Sequence, residues 1–250
     1  MVDDKIRPYS SKYAKVSGKP DTDAIPYERI PQLKKMVNKE SVVLDIGMGT
    51  GYKTIPIAKF CKHFYGLDPN FELLQIARKN KKENMTNNVS FIKGIAQELP
   101  FRGSIFDLAT VLLARLDFRE VFRVLKPGGR IYIEYPGEMD KRDMKLLFGS
   151  DDKGPRGHQC DIKEGGKLKL LERDLKLLGF SKIRSMSIFY DCYYPTIDDL
   201  ILLLEEVKVT VRNFSKEKDV KVLNEIQKKF STKRGIKIRR HDIIVIGEKP

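Results

Sequence analysis

No stretch of about 18 uncharged apolar residues occurs anywhere in this chain of 250, so no membrane-spanning helix is expected. The first residues, MVDDKIRPYSSKYAKV, put acids ahead of any apolar run, so a secretory signal is not expected either. Cysteine is scarce. Cys61, Cys160 and Cys192 are scattered, odd in number and form no CxxC spacing, which argues against a disulfide scaffold and against a zinc finger. The expected setting is a reducing cytoplasm, and no metal site is expected.

Positive charge, by contrast, is plentiful. Lys and Arg number 48 against 34 Asp and Glu, a formal net charge of +14. Residues 208–240 hold twelve basic side chains and only three acids. Such a surface attracts polyanions or acidic membranes without specifying which, and a solvated helix face accounts for it equally well. Hydrophobic residues make up 41%, enough for one domain with a sizeable core.

The polar first 25 residues read as an N-terminal arm, in which Tyr9 and Tyr13, four apart, could form a lid. Residues 26–250 read as a single domain. AIPYERIPQLKKMV suggests a short helix, SVVLDIG a buried strand, residues 51–62 a helix, and HFYGLD a second strand. A helix opened by Asn70 follows, then strands VSFIK and FDLATVLLA, the helix RLDFREVFRVL, and the strand GRIYIEYP after a KPGG turn. Continuous apolar strands alternating with helices indicate an α/β fold whose parallel sheet is covered on both faces. Beyond it come a helix near 138–147, a polar loop at 148–165, a helix, and the strand SKIRSMSIFY. Helical stretches near 196–209 and 215–230 precede a final strand at 236–248, which could run antiparallel.

The strongest motif is VVLDIGMGTGYKT, residues 42–54. A buried strand runs into Gly47, Gly49 and Gly51, where positive φ and bare backbone let a ligand lie against the chain. In the dinucleotide pattern GxGxxG the third glycine would fall at Tyr52; here it comes one residue sooner. GxGxG with Asp45 ahead of it, GLDPN some twenty residues on, GIAQELPF, and VFRVLKPGGRIYIEYP follow in order. In that sequence they resemble the motifs of the class I, Rossmann-like S-adenosylmethionine-dependent methyltransferases, in particular the small stand-alone type with LPF and KPGG. The resemblance is strong over 41–136 and weaker at 166–190 and 236–248.

That resemblance implies a seven-stranded, mostly parallel sheet in the order 3-2-1-4-5-7-6, with S-adenosylmethionine bound across the strand tips and S-adenosylhomocysteine as product. It implies a cofactor half at 41–136, acceptor-side elements at 137–235, and cofactor contacts from Asp45, Gly47, Met48, Gly49, Gly51, Asp68, Pro69, Ile95, Ala96, Leu112 and Leu113. Asp68 is placed to accept hydrogen bonds from both ribose hydroxyls. Ile95 stands where the family has an Asp for the adenine amino group, leaving that contact to backbone near Ala96 or to Gln97 or Glu98.

For a catalytic base, the strand ends offer Arg115, Asp117, Glu134 and Tyr135, and the 148–165 loop offers His158, each with an ordinary structural reading beside it. His63 reads as a packed or surface residue and His241 as a cap or surface residue. Phe189, Tyr190, Tyr193 and Tyr194 cluster after the sixth strand, where core packing competes with a pocket lid. LLARL at the fourth strand end lacks the Asn/Asp-Pro-Pro-Tyr/Phe of exocyclic-nitrogen methyltransferases, and no Cys there could form a thiolate adduct. A small-molecule acceptor is the favoured expectation. An RNA or ribosome-associated methyltransferase using 208–240 stands beside it, as does a non-catalytic cofactor-binding protein.

Overall fold

A computed structural model of the chain describes residues 21–22 and 28–250. The expected arm, with Tyr9 and Tyr13, lies outside the described residues apart from Asp21 and Thr22.

Seven long strands build the sheet: β1 (Val42–Ile46), β2 (His63–Asp68), β3 (Val89–Lys93), β4 (Phe106–Leu112), β5 (Leu125–Pro136), β6 (Ser181–Tyr194) and β7 (Gly235–Glu248). Their order across the sheet is β3-β2-β1-β4-β5-β7-β6, as the resemblance implied. β1 to β5 pair in parallel, and β7 is antiparallel to both neighbours. Asp21–Thr22 add a short antiparallel pair outside β6. Among the described residues the helices are α1 (Arg29–Lys34), α2 (Phe71–Glu83), α3 (Phe118–Val124), α4 (Arg142–Leu146), α5 (Gly166–Leu177), α6 (Ile197–Glu206) and α7 (Val220–Phe230). No described helix is long and apolar enough to cross a membrane.

The two faces of the sheet follow from the period-two alternation of side chains. Val43, Leu108, Tyr132 and Ile244 pack with Leu33 of α1 and with Leu74 and Ala77 of α2. Their neighbours in sequence, Leu44, Ala109, Ile131, Ile133, Ile243 and Val245, pack on the other face with Val121 and Val124 of α3 and Leu171 and Leu175 of α5. Asn70 caps α2 as expected, its side chain accepting the Glu72 and Leu73 amides.

Several elements differ from expectation. Residues 51–62 hold a 3₁₀ turn, Ile55–Phe60, rather than an α-helix. Pro56 lacks an N–H and the β-branched Ile55 and Ile57 crowd the backbone, so a short 3₁₀ segment is what this stretch supports. The helix near 138–147 is reduced to α4. β6 runs through Tyr194, so Phe189, Tyr190, Tyr193 and Tyr194 belong to the strand and do not follow it. β7, Gly235–Glu248, agrees with the expected 236–248 to within a residue.

The length of β6 and of β7 has one cause. β5 pairs β7 only from Pro136, opposite Asp242, back to Arg130, opposite Glu248. Beyond that point Phe189–Tyr194 and Ile236–His241 continue as a two-stranded ribbon, about 20 Å past the end of β5. Cys192, Tyr194, Ile236 and Ile238 on one side of this ribbon pack with Met144 and Phe148, Leu200 and Leu204 of α6, and Leu223 and Ile226 of α7. The result is a cap at the carboxyl ends of the parallel strands. His241 is neither capping nor on the surface: it is buried on the opposite side of the ribbon. Its ring stacks on Phe189 at 4.2 Å, Nδ1 accepts the Met139 amide and Nε2 shares a hydrogen with Ser187 Oγ. A Cβ at Gly137 would sit 2.1 Å from that ring, which leaves room there for glycine alone. His63, half-buried beside Tyr65, bonds Ser90 Oγ at 2.9 Å and has the bland role expected of it.

Candidate cofactor and acceptor site

The glycine loop is fastened on every side. Gly47 and Met48 donate to the Leu67 carbonyl, at 2.8 and 3.0 Å. Gly49 donates to Asp68 Oδ2 at 2.8 Å, and Asn80 of α2 holds the Thr50 carbonyl at 2.8 Å. Gly47, Gly49 and Gly51 all have φ near +60°, which favours glycine. They do not face the same surroundings. A Cβ at Gly47 would strike Ala114, and one at Gly51 would strike Met48 and Ile55. At Gly49 it would meet nothing within 4 Å, so the middle glycine presents bare backbone to open space. Met48 lies over Gly66 of β2, filling the space a side chain there would need.

Asp68 closes the tip of β2. Its Oδ1 accepts the Asn70 amide at 2.8 Å and its Oδ2 accepts Gly49, so the carboxylate joins the turn to the loop. Burial pushes its pKa up, and the two amides pull it back. Each oxygen retains acceptor capacity for a further donor. The neighbouring turn at 94–99 is tied to it by the Gly94 amide on the Asp68 carbonyl, at 3.3 Å. There Ile95 is half-buried, Ala96 is buried, and Gln97 and Glu98 are exposed. At the tip of β4, Leu112 is buried and Leu113 has φ +60°, a costly backbone for leucine that turns Ala114 onto Gly47.

Asp45 sits beneath the loop with no open side. Thr110 Oγ1 donates to one oxygen at 2.6 Å and Thr54 Oγ1 to the other at 2.5 Å. Burial pushes its pKa up to about 6, against the pull of the two hydroxyls. Because the folded value lies above that of the unfolded chain, about 4, this group favours folding at low pH. Its contribution is lost as pH rises from about 4 to about 6. Asp45→Asn removes the titration, so the native melting temperature minus that of the variant is expected to fall across this window. A flat difference measured by scanning calorimetry from pH 3.5 to 7 would contradict the assignment.

None of the candidate bases is a free base at the strand tips. Glu134 is locked: Arg29 of α1 grips both its oxygens, with Nε to Oε2 at 2.7 Å, and the Tyr132 hydroxyl donates to Oε2 at 2.9 Å. Burial would raise the Glu134 pKa, but Arg29 outweighs it and holds the group below the carboxylate range. The Tyr135 hydroxyl donates to the Ala114 carbonyl at 2.7 Å, and burial raises its pKa. Asp117 caps α3 by accepting the Arg119 and Glu120 amides, and Arg115 is exposed. His158 lines a separate open cavity of about 860 Å³ with Lys153, Arg156, Lys208 and Arg212. Its pKa is lowered to about 4, by burial and by Lys145 and Lys167.

Sequence reasoning missed the charged groups that gather where β5 ends beside β7. Asp140 bonds Lys141 Nζ at 2.5 Å and Arg240 Nε at 2.6 Å. Arg240 also lies 3.5 Å from Asp242, which accepts the Tyr190 hydroxyl at 2.7 Å. Lys53, two residues past Gly51, has Arg29, Glu134, Arg240 and Asp242 as its strongest charged neighbours. No hydrophobic period marks any of these residues; their one signal was the position of Lys53 directly after the glycine motif.

The basic run at 208–240 is less available than its count implied. Arg212 pairs with Asp151, Lys216 with Asp198, Lys237 and Arg239 with Asp191, and Arg240 with Asp140. All four partners lie outside the run, so five of its twelve cations are already paired.

Comparison with known proteins agrees with this geometry. Residues 37–168 match the family described as "Methyltransferase domain". An uncharacterized methyltransferase of Bacillus subtilis, YcgJ, is 35% identical over 101 residues, 38% of this chain and 40% of that protein. A demethylmenaquinone methyltransferase of Lactococcus lactis is 36% identical over 99 residues, 36% of this chain and 39% of its own length. The chain therefore spans about two fifths of these curated relatives. The crystal structure of YcgJ superposes with TM-score 0.61 at 21% identity, covering 88% of this chain and 97% of that one. A putative methyltransferase from Bacillus halodurans gives 0.60 at 20%, covering 89% and 99%. With over half its length matched to the family and its fold like that of these methyltransferases, the chain belongs to the class I S-adenosylmethionine-dependent methyltransferases.

Proposed function

We propose that the protein transfers a methyl group from S-adenosylmethionine to a small molecule. The observation that carries this reading is the fixed glycine loop, whose middle residue Gly49 offers bare backbone beside the Asp68 carboxylate. These residues fit the cofactor. Gly49 leaves the space a Cβ would fill, Asp68 can accept the ribose hydroxyls, and Pro69 shapes the turn that holds it. Ala96 and the backbone around Ile95 would border the adenine, Leu112 and Leu113 would lie beneath the cofactor, and Met48 would pack close to it. Asp45 would act at one remove, by fixing Thr54 and with it the end of the loop.

When bound, the cofactor supplies an activated methyl on a sulfonium, a leaving group that needs no protonation. The chain's contribution is therefore to position the acceptor and exclude water. The ribbon of β6 and β7 with α4, α6 and α7 stands over the strand tips, and the segment 137–235 is assigned to the acceptor side. With Glu134 and Tyr135 both engaged, the acceptor atom is one that needs no strong base, or arrives already deprotonated.

A small acceptor is favoured over RNA because five of the twelve cations at 208–240 are paired within the fold. The relative from Lactococcus lactis, named as a demethylmenaquinone methyltransferase, points the same way. Calorimetric titration of S-adenosylhomocysteine into the native protein is expected to give saturable, one-to-one binding. No binding, where a known methyltransferase binds under the same conditions, sinks the reading. Steeply salt-dependent binding of bulk tRNA would shift the acceptor to RNA.

A further inference from the structure

Of the twelve cations at 208–240, five are paired within the fold, Lys208 lines the cavity beside His158, and Arg234 lies 3.8 Å from the centre of the Tyr193 ring. Lys218, Lys221, Lys228, Lys229 and Lys233 remain. All of them are exposed, and none makes an ion pair among the described residues. They gather in one place: Lys218 just before α7, three on α7 itself, and Lys233 in the turn at 231–235 that follows it.

The packing of α7 fixes where they face. Leu223 and Ile226 turn inward with Leu200 of α6 and Ile236 of β7, which leaves Lys221, Asn224, Glu225 and Lys228 on the outer side. Past Phe230 the chain closes a tight hairpin, with Thr232 opposite Gly235 and its hydroxyl on the Gly235 carbonyl at 2.8 Å, so Lys233 is held at a fixed tip. The dipole of α7 accounts for Lys228 and Lys229 in its last turn, but for none of the other three.

Nearby acids do not balance this face. Asp219 is buried and gripped at two points by Arg156, and Glu217 accepts the Ser215 hydroxyl, which leaves Glu225 as the acid on the outer side of α7. The first 27 residues cannot balance it either, since by sequence they hold Asp3, Asp4, Asp21 and Asp23 against Lys5, Arg7, Lys12, Lys15 and Lys19. Like charges gathered in this way repel one another, and the field they make attracts an extended anionic surface.

The chemistry of the face favours lipid over nucleic acid. Lysine is a point charge on a long stem, suited to a diffuse layer of headgroups, whereas two-point recognition of single phosphates falls to arginine. Single strands also need open rings on which bases stack. Here Phe230 packs against the cap and Arg234 covers Tyr193. We infer that the outer face of α7, with the turn after it, docks on an anionic membrane surface. The contact is through charge alone, because the apolar side of α7 is already spent on the cap. This goes beyond the methyltransferase reading and does not depend on it.

The test is sedimentation of the native protein with vesicles of phosphatidylglycerol and phosphatidylcholine in equal parts, and of phosphatidylcholine alone, at low salt. Binding to the first and not the second is expected, with release at about 1 M salt, where the Debye length falls to about 3 Å. Each lysine near an anionic leaflet strengthens binding about fivefold, so Lys221→Gln with Lys228→Gln and Lys229→Gln is expected to bind about 100-fold more weakly. Lys35→Gln with Lys79→Gln and Lys82→Gln removes the same charge from exposed sites elsewhere and is expected to bind like the native protein. Thermal unfolding checks that both fold. Should the α7 variant fail to, Lys218→Gln with Lys233→Gln, both outside the helix, asks the same question with about a 25-fold loss expected. No binding of the native protein to the anionic vesicles overturns the inference. Equal losses in the two triple variants overturn it too, since net charge alone would then be at work. So does tighter binding of bulk tRNA than of vesicles at the same salt, which would give the face to nucleic acid.

Discussion

Asp68→Ala is expected to weaken S-adenosylhomocysteine binding by at least about 100-fold, close to 2.7 kcal/mol. Two losses combine. On the proposed reading the ribose loses its acceptor, and the Gly49 amide loses the partner that holds it at the tip of β2. Hydrogen bonds to a charged group contribute about 1.5–3 kcal/mol each, so the figure requires little more than one of them. Asp68→Asn keeps one acceptor oxygen and is expected to fall between, at about tenfold. Isothermal calorimetry on the native protein and both variants measures this, with thermal unfolding as the control for folding. An Asp68→Ala variant that binds within threefold of native would remove Asp68 from the cofactor site.

The second large effect is on stability. Arg29→Ala leaves Glu134 buried at the end of β5 with the Tyr132 hydroxyl as its one remaining hydrogen-bond partner among the described residues. Removing one partner of a buried pair costs about 3–5 kcal/mol. In a chain of this size that lowers the melting temperature by roughly 6–20 °C. Replacing both, as Arg29→Met with Glu134→Leu, is expected to recover most of the loss, because no uncompensated charge remains. The effect also depends on pH. Arg29 holds the folded pKa of Glu134 below its ordinary value, so the pair stabilises at neutral pH and is lost as pH falls through that folded value. Urea unfolding at pH 7 and at pH 4 checks both statements; equal stability of Arg29→Ala and native at pH 7 would reject the pair as a support of the fold.

The cofactor half was legible because its signals are local and physical. VVLDIG and FDLATVL are continuous apolar runs, as strands buried on both faces must be, and three glycines at alternate positions need the positive φ they have. Asn70 and Asp117 cap the helices that follow them. The strand order came from the family resemblance, and it holds. The cap was harder. In YDCYY the alternation that marks a strand is hidden by Asp191, whose charge is answered by Lys237 and Arg239 of the facing strand. His241 reads as polar, and only the stacked Phe189 and the space at Gly137 make it an interior residue. Glu134 was found but misjudged, because its partner Arg29 lies 105 positions away and no spacing rule connects them. Arg29 and Lys53 escaped for the same reason: a buried charge is recognised by its neighbours in space.

The place of β7 between β5 and β6 dictates an order of events during synthesis. When β6 has left the ribosome it cannot yet join β5, since the strand that links them is made more than forty residues later. Until then β5 is an open edge with its amides and carbonyls exposed, and of the fourteen residues of β6 only Cys192 and Tyr193 have strand partners, Thr22 and Asp21. Contacts of such long sequence separation form slowly, so the nascent chain passes through a stage at which the glycine loop can be complete while the cap is absent. In that interval the protein has the means to hold its cofactor and nothing to place against it.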